Sequence, residues 1–478
     1  MASLLVKIRN RLRAQYVCTD YLMSNAAIFA YNIIRANHVE WATNVWRFYE
    51  MGVVLLGQIL FPLMLMGIYW LTGYYTNVEN RSRAQELITT AWSAIIGSVA
   101  VFFIALINDM PQRRLPAIEN IILLGGIIFV CVYTGRYLIT RIEVRAIHSR
   151  TKFRNTLILG TDTEAVKLAD RINSLPKGTG MTVTSLAKLH RDEIPAVGSE
   201  KYSLIEFDEL TEICEHQAIS HIILSPSLNR NREEQTRLLR TVYPLDVSVY
   251  IAPDVDMIPV AASRRISNVI GEPLVCISSA NISASSANIK RLIDTCLSIV
   301  ALMVLLPVFA VIAIAIKLDD GGPVFFTQER VGLKNRPFRI FKFRTMKVNA
   351  EKENKPELTS DDDPRITRAG HILRKYRLDE LPQFLNVVRG EMSIVGPRPE
   401  RRYFAEQIAA IVPFYHMIYQ VRPGITSWGM VRYGYASTIE QMIERLRYDL
   451  IYLENISLST DLKIILHTFN TVISGQGK

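Results

Sequence analysis

Four long apolar stretches crowd the first third of the chain, and they constrain its fold more than any other feature. They run over 16–34, 49–71, 87–107 and 118–138. Each is long enough to cross about 30 Å of hydrocarbon as a helix. The first is the most polar, because it carries Asp20, Asn25 and Asn32. Trp41, Trp46, Trp70, Tyr74 and Tyr75 lie near the ends, where interfacial aromatics are expected. Basic residues bias the orientation. Lys7, Arg9, Arg11 and Arg13 precede the first stretch, Arg81 and Arg83 follow the second, and Arg141, Arg145, Arg150, Lys152 and Arg154 follow the fourth. The other side holds Arg35, Arg47, Arg113 and Arg114. This predicts cytoplasmic ends and four crossings, with the first stretch a retained anchor rather than a cleaved signal.

The remainder reads as ordinary globular protein. Hydrophobic residues reach 49%, yet charged residues still make up 21%, which fits membrane segments joined to folded domains. The net charge of +10 suits nucleic acid, anionic lipid or phosphorylated small molecules. No helix-turn-helix, RNA-binding or zinc signature accompanies it, which argues against nucleic acid. The five cysteines form no C-x-x-C pair, as in a reduced, cytosol-facing protein.

From about residue 152 the pattern becomes α/β. Strands are predicted at 155–159, 221–224 and 247–251, with a helix over 163–175. This resembles half of a Rossmann-type fold. Its first turn reads Gly160-Thr161-Asp162-Thr163-Glu164 and lacks the G-x-G-x-x-G that lets backbone approach a pyrophosphate. Asp162 and Glu164 would repel one besides. The domain therefore reads as regulatory or structural rather than dinucleotide-binding. A polar linker over 278–286 closes it, giving regions 1–150, 151–285 and 286–478.

A fifth apolar run, about 292–318, has Pro307 at its centre. Lys290 and Arg291 precede it, and Lys317, Arg330, Lys334 and Arg336 follow. Equal charge on both flanks and a helix-bending proline point to a re-entrant hairpin with its bend at Pro307; the competing reading is a fifth span.

The chemistry-bearing string is GHILRKYRLDELPQFLNVVRGEMSIVGPRPE, residues 370–400. Asp379 and Glu380 precede Leu381-Pro382, so a helix is expected to begin near Asp379. Its N-terminus, with Arg374, Lys375 and Arg377, would draw phosphate to a carboxylate, as aspartyl-phosphate chemistry requires. An isolated Asp-Glu-x-Pro is more commonly a capping turn, so the surrounding motifs decide. RIFKFRTMK (339–347) reads as a strand with Lys342 and Arg344 on one face and Thr345 on the other. DDDPRITR (361–368) offers carboxylates for Mg²⁺ and Arg365 for phosphate. GPRP (396–399) is a rigid turn presenting Arg398 and Pro399, and VRPGITSWGM (421–430) a turn around Gly424.

In this order the pieces resemble the bacterial sugar transferases, the monotopic phosphoglycosyl transferases. The matches are Lys290-Arg291-x-x-Asp294, Gly322-Pro323-Val324-Phe325, Gln328-Glu329-Arg330-Val331-Gly332, Lys342-Phe343-Arg344-Thr345-Met346, Leu378-Asp379-Glu380-Leu381-Pro382-Gln383, Val395-Gly396-Pro397-Arg398-Pro399 and Arg422-Pro423-Gly424-Ile425-Thr426. Arg377, Ser427 and Leu306 depart from the family's usual residues. The layout resembles the long members, which transfer glucose or galactose phosphate to undecaprenyl phosphate. The resemblance implies a four-span α-helical region, an α/β Rossmann-like cytosolic domain and an α-rich monotopic catalytic domain with a re-entrant helix. It implies an inner-membrane enzyme whose catalytic domain faces the cytoplasm. That enzyme would carry a hexose-1-phosphate from a UDP-sugar to undecaprenyl phosphate through an aspartyl intermediate on Asp379. Glu380 assists, Mg²⁺ sits at Asp379, and UMP leaves. Lys342, Arg344, Thr345, Arg365, Arg374, Arg398, Pro399 and Gly424 are the expected phosphate and substrate contacts, and a homodimer fits the long layout. The alternative is a non-enzymatic membrane scaffold with a ligand-binding middle domain.

Overall fold

In the computed structural model, the described residues are 2–36, 45–76, 83–106, 117–149, 154–175, 180–216, 219–230, 232–243, 245, 247–251, 266–269, 272–277, 282–348, 350, 363–434 and 436–473. Trp41, Arg81, Arg113, Arg114, Arg150, Lys152, Asp361 and Asp362 lie outside them, as does the first part of the 278–286 linker, 278–281. The chain forms two compact units.

The first unit is helical: Ala2–Ala36 (α1), Val45–Glu50 (α2), Gly52–Leu71 (α3), Arg83–Val101 (α4) and Ala117–His148 (α5). Four helices among the described residues are long and apolar enough to cross a membrane: Gly52–Leu71, Arg83–Ala105, Ile118–His148 and Ala284–Asp320. α1 is not among them. Asp20 is the reason to expect that, and packing explains how it is tolerated. Asp20 is fully buried and accepts two bonds from the Arg136 guanidinium, at 2.8 and 2.7 Å, and one from Tyr75 at 2.9 Å. Arg136 also donates to Thr90 at 2.8 Å and lies over the Tyr74 ring. Glu86, likewise buried, accepts from Tyr74 and Thr140. Away from water such groups persist only when paired. Tyr74 and Tyr75 therefore serve this interior network rather than the interface expected of them, whereas Trp46 is exposed.

The second unit begins with a seven-stranded sheet: Arg154–Leu159 (β1), Met181–Lys188 (β2), Ser203–Glu206 (β3), His221–Leu224 (β4), Ser248–Ile251 (β5), Ile266–Val269 (β6) and Glu272–Cys276 (β7). Its order is β3-β2-β1-β4-β5-β7-β6, parallel through β5 and antiparallel at β7 and β6. Leu157 and Leu159 of β1 point into one apolar layer and Ile158 into the other. Burial on both faces is what makes central parallel strands read as continuous apolar runs. Helices Thr163–Ser174 (α6), Leu210–His216 (α7) and Arg232–Val242 (α8) complete this region.

A single helix, Ala284–Asp320 (α9), follows, with Pro307 inside it. Then come the antiparallel pair Phe325–Val331 (β8) and Pro337–Phe343 (β9), and helices Arg368–Lys375 (α10) and Gln383–Arg389 (α11). Ser393–Val395 (β10) pairs in parallel with Gly424–Thr426 (β11), across the helix Arg402–Ile411 (α12). Trp428–Arg432 (α13), Ile439–Glu454 (α14) and Leu458–Ile473 (α15) complete the chain.

Candidate active site

Asp379 and Glu380 sit in a 3-10 turn, Leu378–Glu380, just ahead of α11. The helix expected to begin at Asp379 begins instead at Gln383, beyond Pro382, whose fixed φ suits a helix entry. Arg377 enters the turn with φ +54, a left-handed conformation that costs an ordinary residue about 1 kcal/mol or more. That reversal directs both acids inward, and both are buried.

The two carboxylates meet different fates. Glu380 Oε1 accepts from Lys342 Nζ at 2.7 Å and from Arg398 Nη2 at 3.4 Å. Lys342, Arg398 and Arg377 outweigh burial and hold its pKa well below the usual carboxylate range. Asp379 Oδ2 lies 4.0 Å from Lys342 Nζ, and its Oδ1 has no hydrogen-bond partner. Burial is the chief cause that pushes the Asp379 pKa up to about 6; Lys342, Arg374 and Arg398 oppose it and Glu380 adds to it. A buried carboxylate oxygen without a donor is an acceptor left unused, and the cations around it favour an anionic neighbour.

The frame comes from four segments. Lys342 is near the end of β9. Arg374, in the last turn of α10, donates to Thr345 Oγ1 at 3.0 Å, which turns it toward Asp379. Arg398 leaves the GPRP loop, donates to Met430 Sδ at 2.9 Å and reaches Glu380. GPRP and RPGIT, far apart in sequence, are joined by the β10–β11 pair and by Gly396 N to Thr426 O at 3.1 Å. Gly424 sits at their crossing. Its N–H goes to Pro397 O, and a Cβ there would meet Gly396 N at 2.2 Å, so its small size is what the position uses. Pro399 O accepts from Arg330 at 3.2 Å.

Two expected contacts are engaged by other side chains. β9 ends at Phe343, so Arg344 does not share the Lys342 face; its guanidinium pairs with Asp320 at the end of α9, leaving Nε and Nη1 buried without partners. Arg365 clasps Asp363 through Nε and Nη2, at 2.8 and 2.6 Å. Asp363, the one described acid of the DDD run, is thereby committed to Arg365.

Other residues support the site without having signalled themselves. Asp449, buried in mid-α14, accepts from Gly429 N at 2.9 Å and Arg398 N at 3.3 Å, tying the two loops together. Burial pushes its pKa up. Glu400 is clamped between Arg445 and Arg330. Nothing local distinguishes Asp449 in the sequence; Glu400 at least adjoins GPRP. Ser427 caps α13 by accepting from Met430 N at 3.0 Å, which gives that departure a structural use.

Residues 285–475 match the family model described as bacterial sugar transferase. The exopolysaccharide production protein PSS of Rhizobium leguminosarum bv. phaseoli is 39% identical over 191 residues, covering 39% of this chain and 94% of that one. The chain belongs to the bacterial sugar transferase family. Among other members, the UDP-N-acetylgalactosamine-undecaprenyl-phosphate N-acetylgalactosaminephosphotransferase of Aeromonas hydrophila is 43% identical over 191 residues, which is 40% of this chain and 45% of that protein. The UDP-glucose:undecaprenyl-phosphate glucose-1-phosphate transferase of Escherichia coli (strain K12) is 37% identical over 241 residues, 50% of this chain and 51% of that protein. The alignments thus span about half the length of these two members.

Proposed function

We propose that this sugar transferase moves a sugar-1-phosphate from a UDP-sugar to undecaprenyl phosphate, with Asp379 as nucleophile. The observation that carries this is the contrast within one turn: Glu380 is saturated by Lys342 and Arg398, while Asp379 Oδ1 is free. Asp379 Oδ1 bonds to the β-phosphorus as the α,β-bridging bond breaks. UMP departs with the bridging oxygen, leaving a phosphosugar–aspartyl anhydride. An oxygen of undecaprenyl phosphate then attacks that phosphorus and returns the electron pair to Asp379. Lys342, Arg374 and Arg398 offset the charge that develops.

A divalent cation fits this donor set. Mg²⁺ commonly takes one or two carboxylates and completes its shell with water and substrate phosphate; with Oδ1 kept for the phosphorus, Asp379 Oδ2, 4.0 Å from Lys342 Nζ, is the oxygen that would hold it. When bound there, the ion would neutralise the diphosphate. Arg344, with two unpartnered buried nitrogens, is the best-prepared additional phosphate contact.

The acceptor is a lipid, and α9 suits it. Arg291 near its start donates to Val388 O and Met392 O, and Asp294 accepts from Ser393 at 2.5 Å. Ile312 and Ile316 near its end pack with Phe343 and Leu373. Arg291 and Asp294 on one side of Pro307, and Ile312 and Ile316 on the other, thus dock on the same folded unit, while Met303, Val304 and Leu306 between them are exposed. This supports a helix that enters one leaflet around Pro307 and returns, rather than crossing. Leu458, Leu462, Leu466 and Phe469 form an exposed apolar stripe on α15, suited to the same bilayer surface. We read the sheet region, by its strand order, as Rossmann-like, and the enzyme as an inner-membrane protein active on the cytoplasmic side, with dimerisation consistent with the long layout.

The test is UMP release by the full chain in nanodiscs with undecaprenyl phosphate and Mg²⁺, across UDP-glucose, UDP-galactose and UDP-N-acetylgalactosamine. One donor should release UMP, and Asp379→Ala should not. Undiminished activity in Asp379→Ala would overturn the covalent mechanism; inactivity with every donor and an intact fold would favour the scaffold reading.

A further inference from the structure

Helix α1 is built inside out. Buried residues recur along it every three or four positions, at Tyr16, Asp20, Ser24, Ala27 and Tyr31, so they share one face. Most of that face is polar. The exposed face is apolar and carries Cys18, Leu22, Ala26 and Phe29. A surface helix of a water-soluble protein has the opposite arrangement. This one suits lipid outside and protein inside.

The inward polar groups meet partners on α3 and α5. Tyr16 bonds to Thr140 at 2.8 Å and Tyr31 donates to Asn120 at 3.1 Å, with the Asp20–Arg136 pair between them. On the α3 side Ser24 meets Tyr69 at 3.1 Å, Gln58 donates to the Asn25 carbonyl at 2.8 Å, and Asn32 donates to Gln58 at 3.3 Å. As the numbers rise along α1, those of the partners fall on both neighbours, so the seam sets one antiparallel register.

Alone in a bilayer, α1 would turn this face toward hydrocarbon. Its own hydropathy does not offset that. α3, α4 and α5 each belong to a segment long and apolar enough to cross, and α1 does not. Asp20 is the hardest group to leave there, because a carboxylate without a cation is strongly disfavoured in lipid. Its cation lies 116 positions later in the chain, so α1 is synthesised well before its partner.

We propose that α1 is a late-joining helix, which takes its place in the membrane only after α5 has brought Arg136 there, with the Asp20–Arg136 pair as the key that holds it. α3, α4 and α5 enter on their own hydropathy, and the seam then supplies what α1 lacks. Both charges are fully buried, so losing one strands the other, whereas replacing both by apolar residues strands neither. The inference rests on the reading of this unit as a membrane bundle and is independent of the transfer reaction.

The experiment places a probe on the lipid-facing side of α1 with Ala26→Cys, which leaves the seam untouched. The full chain in native membranes is treated with the permeant reagent N-ethylmaleimide, and labelling at each cysteine is read by mass spectrometry. Maleimides react through the thiolate, so a thiol in lipid or protein reacts slowly and one in water reacts fast. Native Cys131, on α5, reports in the same sample whether that helix stays inserted. Adding Arg136→Leu should raise labelling at position 26 by roughly tenfold or more while Cys131 stays protected. Adding Asp20→Leu to Arg136→Leu should return position 26 to within about twofold of its starting rate, because the stranded charge is gone. Unchanged labelling in Arg136→Leu overturns the proposal, as does a double variant that labels as fast as the single one. Labelling at position 26 and Cys131 together overturns it too, since α5 would then depend on α1 as much as α1 on α5.

Discussion

Two acid-bearing turns in this chain look alike in sequence and differ in what they leave unspent. In the turn after β1, Asp162 Oδ1 accepts from Ala165 N at 2.6 Å and Ser225 Oγ at 3.1 Å, and its Oδ2 accepts from Ser225 and Ser227. Glu193 joins it, accepting from Thr161 N–H and hydroxyl and from Leu189 N at 2.7 Å. Backbone N–H groups that would greet a phosphate in a nucleotide-binding turn are thus met by the protein's own carboxylates. In the Leu378–Glu380 turn Glu380 is equally saturated, but Asp379 keeps one oxygen without a donor. The presence of acids at a helix entry therefore says little. Whether their lone pairs are used divides a structural turn from a reactive one.

The sharpest break in this comparison is exchange of the same side chain at both turns. Asp379→Asn should lower UMP release by roughly 10³-fold or more, because the amide has no nucleophilic oxygen of comparable strength. Asp162→Asn should leave UMP release within about twofold. Similar losses from both would mean that saturation does not separate the two roles.

Next in size is the frame. Lys342→Met removes the cation nearest both acids and should cost roughly 10²-fold in UMP release, the scale of one lost electrostatic partner. It should also move the pH profile. In the proposed transfer Asp379 attacks as the carboxylate, so activity should fall as pH drops through about 6, the value to which burial raises this acid. Since Lys342 lowers the Asp379 pKa, its removal should shift that acid limb to higher pH. A limb near pH 4 in wild type, unmoved by Lys342→Met, would mean Asp379 is solvated in the working enzyme.

The contrast also marks where sequence reasoning reaches and where it stops. The acid pair, Lys342, Arg374 and Arg398 were legible because each sits in a dense local motif. Three apolar spans were legible because hydropathy is a local sum. Asp20 made the first stretch look weak, and only Arg136, 116 positions away, explains why that carboxylate is tolerated. Asp449 was invisible for the same reason: it is one acid on an ordinary helix until the fold sets it beneath Gly429 and Arg398. Alternation carried Arg344 past the true end of β9, and the close backbone packing at Gly424 depends on Gly396 and Pro397, far from it in sequence. Partners distant in sequence decide all of these.

The smallest expected effect is on stability, and its sign is opposite at the two turns. Asp379 has a folded-state pKa raised above its ordinary value of 3.8. The folded protein therefore holds that proton more tightly than the unfolded chain does. The stabilising contribution of proton uptake is complete below the ordinary value and is lost as pH rises through about 6. At pH 7.5 the wild type thus carries an ionised, buried and incompletely bonded carboxylate. Asp379→Asn removes that cost and should raise the thermal midpoint by a few degrees, an advantage that fades as pH is lowered toward 4. Asp162→Asn should instead lower local stability by about 1 kcal/mol, because an amide oxygen replaces a carboxylate already paired with several donors. Hydrogen exchange across β1–α6 and across the Leu378–Glu380 turn reads the two separately. A destabilising Asp379→Asn at pH 7.5 would show that Lys342, Arg374 and Arg398 already offset the Asp379 charge, whereas a stabilising Asp162→Asn would show that the donors from Ala165, Ser225 and Ser227 do not offset the burial of that carboxylate.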